Sequence, residues 1–227
     1  MDTGERAYEK IINYVEQQVM QGRYKKGDKL PPERELAALL GASRNSVREG
    51  LGILERMGAI SSQQGAGNFI SDNFEKTLIE VMTLMFILEE GTFREISEFR
   101  YALETQALAL AMEHISKKQL TDIEYYMSML EKTPEEDMKA YYDKKIHYTI
   151  TAASGNRFII DNLQALTAVM DVFIKDMRAK ILSDGSNSEG LMAAHREMVE
   201  ALREKNMKKG MQALKVHFEY IYEYIDG

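Results

Sequence analysis

Residues 31–50, PPERELAALLGASRNSVREG, constrain the fold most, because they read as two short helices joined by a tight turn. Leu36, Leu39 and Leu40 give the first helix an apolar stripe, Gly41 permits the turn, and Ser43 can cap a second helix in which Val47, Leu51 and Leu54 face inward. Arg44 and Arg48 then lie one turn apart on the outside of that second helix, near its N-terminal end. In a helix-turn-helix this stretch enters the major groove, where arginine can pair bidentately with guanine.

The flanks extend the unit. Helical apolar spacing runs through Tyr8, Ile11, Ile12, Val15 and Val19, and residues 60–70, ISSQQGAGNFI, read as a two-stranded hairpin with a Gly-rich tip. The order of leading helix, Gly27-Asp28-Lys29-Leu30-Pro31, Glu33-Arg34-Glu35-Leu36-Ala37, Gly41-Ala42-Ser43-Arg44, Val47-Arg48-Glu49-Gly50-Leu51 and the Gly65–Ile70 wing resembles the GntR family of bacterial transcription regulators over residues 7–71. The resemblance implies that Arg34, Arg44 and Arg48 contact operator DNA, with Gln64, Gly65 and Gly67 of the wing at the adjacent minor groove. Ser43 and Ser46 are expected phosphate contacts. One departure stands out: the family commonly has Ala where this chain has Gly50, which lowers helix propensity by about 1 kcal/mol.

The net charge of −7 looks wrong for a DNA binder until it is divided. Ten Lys/Arg balance ten Asp/Glu within residues 1–72, so the whole negative excess falls in 73–227. A neutral reader domain with its basic residues on one face can still bind phosphate, with a steep dependence on salt. No cysteine occurs, which removes disulfides and thiolate metal sites. Met1-Asp2-Thr3-Gly4-Glu5-Arg6 lacks the apolar core of a signal peptide, and the run Val81–Leu88 is too short to span a bilayer. The expected location is the cytoplasm, without membrane attachment.

Two domains are expected, a winged helix-turn-helix in 1–72 and an all-α helical bundle in 73–227, joined at Ser71-Asp72-Asn73. Breaks near Glu90-Gly91-Thr92, Ile115-Ser116, Thr133-Pro134, Ser154-Gly155-Asn156, Asp184–Ser188 and Lys205-Asn206 predict six or seven helices in the second part. Thr133-Pro134-Glu135-Glu136 reads as a capping box with proline at the first helical position. Within this family, a purely helical second domain of such length resembles the FCD effector domain of the FadR-type subfamily.

Four histidines are present. Asp143 and His147, four residues apart, lie on one helical face and can converge on a metal ion. His195 sits in the stripe Leu191, His195, Met198, Leu202, and His217 beside Leu214, Phe218 and Ile221, so both face inward or nearly so. Each alone also reads as a hydrogen-bonded core residue, because a buried unsatisfied polar group costs about 1–3 kcal/mol. Together, Asp143–His147, His195-Arg196-Glu197-Met198 and His217 resemble the metal-binding FCD signature, which implies Asp143, His147, His195 and His217 as ligands of one divalent cation per chain. Zinc is the first choice, with nickel and manganese as alternatives. His114 falls outside the pattern, near a helix end, and reads as a surface residue.

The segment Glu98–Glu104 matches the early FCD helix that carries an arginine, which makes Arg100 the candidate anchor for an effector carboxylate. The alternative reading of Arg100 and Glu104 is a surface i, i+4 ion pair, and Thr149 and Thr151 are weaker candidates for the cavity wall. The expected protein is a homodimeric regulator, acting as a repressor, whose grip on a double-stranded, pseudo-palindromic operator responds to a small organic or sugar acid at a metal-centred pocket. Two alternatives remain: a repressor for which the metal itself is the signal, and a metalloenzyme using the Asp/His3 site. The second lacks any identifiable acid or base beside the metal.

Overall fold

Ten helices and one two-stranded sheet make up residues 6–71, 74–173 and 185–226, the residues described by the computed structural model. They divide into two units, Met1–Thr77 and Leu78–Gly227. The signal-peptide reading of Met1–Glu5, the linker residues Asp72 and Asn73, and the break residue Asp184 lie outside the described residues. Among the described residues no helix is long and apolar enough to cross a membrane.

The first unit contains α1 (Glu9–Met20), α2 (Glu33–Leu40), α3 (Arg44–Arg56), β1 (Ile60–Gln63) and β2 (Gly67–Ile70). Gly41 makes the turn between α2 and α3 with φ 58° and ψ 35°, a left-handed conformation that glycine adopts without steric cost. The N–H groups of Gly41 and Ala42 both close onto the Ala37 carbonyl, satisfying the end of α2. Ser43, extended, then caps α3 by accepting from the Ser46 N–H at 3.1 Å. Ile11, Val15, Leu30, Leu36, Val47, Leu51, Leu54, Ile60 and Ile70 close one apolar core.

Two positions of the expected stripes point elsewhere. Leu39 is 61% exposed and Val19 42% exposed, because the core contact of the short α2 runs through Leu36, Ala37 and Leu40, and α1 is anchored by Ile11 and Val15. β1 and β2 pair antiparallel from Ile60↔Ile70 to Gln63↔Gly67, and Lys29 bridges to Phe69 on the outer side of β2.

Gly50 has a packing reason. A Cβ at that position would lie 2.8 Å from both the Ile11 Cβ and the Tyr8 carbonyl oxygen. The residue that weakens α3 as an isolated helix is therefore the one that lets α1 close against it.

The second unit is helical: α4 (Glu75–Leu88, which starts just before the boundary), α5 (Phe93–His114), α6 (Lys117–Lys132), α7 (Glu136–Ala153), α8 (Arg157–Phe173), α9 (Gly185–Glu204) and α10 (Met207–Asp226). Capping boxes start α5 at Thr92/Glu95 and α6 at Ser116/Gln119. The box expected at Thr133–Glu136 does not form. Thr133, held extended by the following proline, closes α6 through its N–H to the Met129 carbonyl, and α7 begins only at Glu136. Of the expected break at Asp184–Ser188, residues 185–188 are already helical, since α9 starts at Gly185.

In this bundle α5 packs on α7, α8 and α10, α6 on α7 and α9, and α9 on α10. One apolar cluster joins α5, α6, α7, α9 and α10 through residues such as Leu108, Ile123, Ile146, Met198 and Phe218; another joins α4, α5 and α8 through Met82, Ala107, Leu163 and Val169. The first cluster encloses the polar side chains described next.

Candidate metal centre and nucleic-acid interface

Helical periodicity delivers the polar groups to the inside of the second unit. On α5, Ser97, Arg100, Glu104, Ala107, Leu108 and Ala111 form the buried face; on α7, Asp143, Ile146, His147, Ile150 and Thr151 do so. His195 on α9 lies between the buried Leu191 and Met198, and His217 on α10 between Leu214 and Ile221. Asp143, His147, His195 and His217 are all buried, with one ligand atom of each within 4.8 Å of the others.

The geometry fixes where the lone pairs point. His195 Nδ1 lies 2.9 Å from the Leu191 carbonyl oxygen, which only accepts, so Nδ1 carries a proton and Nε2 is a lone pair whenever the ring is neutral. His147 Nδ1 lies 2.7 Å from Glu104 Oε2. Burial opposes ionisation of Glu104, but the Arg100 guanidinium and His147 outweigh it and hold the carboxyl down to about 2. Burial keeps His147 below its usual range despite Glu104. Nδ1–H of a neutral His147 therefore donates to a carboxylate, and its Nε2 is also a lone pair.

Those two Nε2 atoms face each other at 3.2 Å, and Asp143 Oδ1 lies 3.0 Å from the His195 Nε2 and 3.8 Å from the His147 Nε2. His217 completes the group, its ring centroid 4.8 Å from that of His147 and 4.6 Å from that of His195. Burial, then the neighbouring His195, His147 and Arg100, push the His217 imidazole well below its usual range, and its Nδ1 is buried without a hydrogen-bond partner. The facing atoms of His147, His195 and Asp143 and one ring nitrogen of His217 thus lie within 4.8 Å of one another. Metal–ligand bonds of about 2.0–2.2 Å place neighbouring donor atoms about 3–4 Å apart, so the donor set fits a divalent cation such as zinc.

Arg100 is not on the surface. It forms a buried ion pair from Nε to Glu104 Oε1 and lies over the Phe218 ring at 5.4 Å. The i, i+4 pairing expected of it is present, but on the inward face, where Ala107, Leu108 and Ala111 continue the stripe. Arg100, Glu104, Lys144, His147, Tyr148, Thr151, Leu163 and Thr167 line a small cavity between α5, α7 and α8. Of the two threonines considered, Thr151 lines it, whereas the Thr149 hydroxyl donates to the Lys145 carbonyl of its own helix. His114 is exposed at the end of α5.

Glu104, Tyr148 and Thr167 were not singled out from the sequence as site residues. For Glu104 a signal existed, a charged pair embedded in an otherwise apolar face of α5; Tyr148 and Thr167 carry none.

In the first unit, Arg34 lies on α2 and Arg44 and Arg48 on α3, all exposed, as is Ser43; Ser46 is half-buried and 2.9 Å from the Ser43 hydroxyl. Gln64, Gly65 and Gly67 form the exposed wing tip, with φ 76° at Gly65 and 106° at Gly67. Arg48 does not extend freely: its guanidinium makes two hydrogen bonds to Glu33 at the start of α2, at 2.9 and 3.3 Å. The ion pair spans the two helices of the motif and orients the arginine.

A winged helix-turn-helix unit and a helical unit enclosing a buried Asp/His3 group define a DNA-binding transcription regulator. The chain belongs to the GntR family: the model of "Bacterial regulatory proteins, gntR family" matches residues 7–70, and that of the FCD domain matches residues 95–220. Among its relatives, the Uxu operon regulator of Haemophilus influenzae is 24% identical over 219 residues, covering 95% of this chain and 80% of that protein. The HTH-type transcriptional repressor YtrA of Bacillus subtilis is 42% identical over 95 residues, covering 42% of this chain and 72% of the other. The solved structure of Streptococcus agalactiae GntR shares the fold with a TM-score of 0.65, at 24% identity, over 96% of this chain and 99% of that one. These families and relatives are regulators, not enzymes.

Proposed function

We propose that this regulator senses a small organic or sugar acid at a divalent metal ion held by Asp143, His147, His195 and His217, and that the acid changes its affinity for an operator. One observation carries the reading. When both rings are neutral, two imidazoles whose Nδ1 protons are committed elsewhere turn their Nε2 lone pairs on each other at 3.2 Å with a carboxylate beside them, an arrangement that a cation bound between them relieves. Zinc suits three nitrogen donors and one carboxylate; nickel and manganese are the alternatives.

The charge balance favours an anionic ligand. The buried carboxylates of Glu104 and Asp143 exceed the single Arg100 guanidinium by one charge, and a divalent ion reverses the surplus. A bound ion would supply a Lewis-acidic position for a carboxylate oxygen. Arg100, with its Nε already on Glu104, presents the rest of its guanidinium as a second contact for the acid. Thr151 adds a hydroxyl-bearing side chain to the same cavity wall, suited to a hydroxy or sugar acid, whereas the Thr167 hydroxyl donates to the Leu163 carbonyl of its own helix.

In the first unit, Arg44 and Arg48 near the start of α3 are suited to read base edges in the major groove, and Arg34, Ser43 and Ser46 to hold phosphates. Gln64, Gly65 and Gly67 of the wing would approach the adjacent minor groove. Two copies related by a twofold axis would match a pseudo-palindromic operator in the cytoplasm. The acid acts by binding one arrangement of the DNA-reading units better than another, and release of a repressed operator is the expected sign.

A thermal-shift screen of metabolite acids against metal-loaded and chelated protein tests the reading, since a ligand of the folded state raises its apparent stability. A hit that disappears on chelation and lowers operator affinity is expected. A hit indifferent to chelation would remove the metal from the sensor, and operator binding that follows free metal alone would make the cation the signal.

A further inference from the structure

We infer that Glu104 is a positioning residue of the metal centre, fixing the tautomer of His147 and tying that ligand to the anion anchor Arg100. The inference rests on the metal-centred reading above, and Glu104 belongs to neither the ligand set nor the proposed acid contacts. Both of its oxygens are engaged: Oε1 accepts from Arg100 Nε, and Oε2 accepts from His147 Nδ1 at 2.7 Å. It lies on α5, whereas His147 lies on α7, so the carboxylate spans two helices.

An imidazole has one proton to place when neutral, and the partner of one nitrogen decides what the other can do. With the proton held on Nδ1 by Glu104, Nε2 must present a lone pair towards Asp143 and His195. With the proton on Nε2, that nitrogen would instead donate to Asp143 or His195 and be lost as a ligand. A carboxylate acceptor also raises the basicity of the opposite nitrogen, and such outer partners are typically worth ten- to hundredfold in metal affinity.

The other imidazole oriented in this way, His195, uses the Leu191 backbone carbonyl of its own helix. His147 thus depends for its orientation on a side chain of another helix, whereas His195 does not. Glutamine could not replace the carboxylate there. The Arg100 Nε–H and the His147 Nδ1–H are both donors, and an amide offers one oxygen between them while turning an NH2 group towards the other.

The test uses full-length protein, Co2+ as the probe and Glu104→Gln as the variant. Competition against a chelator of known affinity should show one Co2+ per chain in both proteins, with about ten- to hundredfold weaker binding in the variant. The visible absorption of bound Co2+ should keep its shape, because the four ligands remain. Affinities within twofold of each other would overturn the inference.

A second measurement needs neither the variant nor the metal. Long-range 1H–15N spectra of chelated wild-type protein should find His147 protonated on Nδ1, and an Nε2–H tautomer would overturn the assignment even if Glu104→Gln failed to fold. Wild-type protein that takes up no Co2+ would refute the metal reading separately. The spectrum would still decide whether His147 carries its proton on Nδ1, as the contact with Glu104 requires.

Discussion

Replacing His217 by leucine should change the sign of its effect on stability with the presence of metal. In the chelated protein, His217 Nδ1 is a buried polar atom without a partner, and such an atom costs about 1–3 kcal/mol. Leucine has similar bulk and no polar atom, and it would pack among Leu214, Phe218 and Ile221. The chelated variant should therefore be more stable than chelated wild type by about 1–2 kcal/mol, less than the full range because the two rings facing His217 lose a neighbour of matching shape. At about 2–4 °C per kcal/mol for a chain of this size, its midpoint should rise by roughly 2–8 °C.

With zinc the order reverses when loss of the fourth ligand weakens binding by about a hundredfold or more. Wild type gains about 2.7 kcal/mol when free zinc stands a hundredfold above its dissociation constant. The variant, with three ligands left, gains less at the same concentration. Scanning calorimetry in chelator and in buffered zinc measures both arms on the transition whose midpoint moves with the metal. An equal zinc-induced rise in both proteins would refute His217 as a ligand. A chelated variant less stable than chelated wild type would refute the reasoning that the unmetallated site is frustrated.

Arg48→Ala should cost roughly 1–3 kcal/mol of discrimination between selected operator and random duplex if Arg48 reads a base edge, measured by fluorescence anisotropy at fixed salt; equal losses on both DNAs would make it a phosphate contact. Arg100→Met should abolish the response to any acid found by the thermal screen while bound metal stays at one ion per chain, and an unaltered acid titration would remove Arg100 from the site. Gly50→Ala gains about 1 kcal/mol of helix propensity, but overpacking costs about 1–3 kcal/mol. Because one of the close contacts is the Tyr8 backbone oxygen, which cannot rotate away, denaturant titration should show net destabilisation, and a stabilised variant would contradict the packing argument.

Much of this molecule is legible along the chain because local rules decide it. Gly41 and Ser43 specify a turn and a cap whatever surrounds them, and the sequence spacing of Ile146, His147 and Ile150 puts them on one face of any helix. Where local signals competed, reading them was less safe. The Thr133–Glu136 capping pattern yielded to the proline within it, and Leu39 matched an apolar period that the two-turn α2 does not bury.

Whether Arg100 and Glu104 face water or the core could not be decided from their spacing, since an i, i+4 pair looks the same on either side of a helix. The answer came from α7, α8 and α10 closing over α5, which replaced solvent with His147, Leu163 and Phe218. Arg48 followed the same logic on the outside, its partner Glu33 being fifteen residues away and adjacent only after α2 and α3 pack.

The sequence by itself determined the helix-turn-helix and the helical second unit, because residue type and helical period are local properties, and its resemblance to the FCD signature supplied the four candidate ligands. Only the tertiary structure decided which nitrogen of His147 and of His195 is turned inward, since that depends on acceptors such as Glu104 brought from another helix. Hydrogen bonding between distant segments sets the proton positions, and with them the chemistry of the centre.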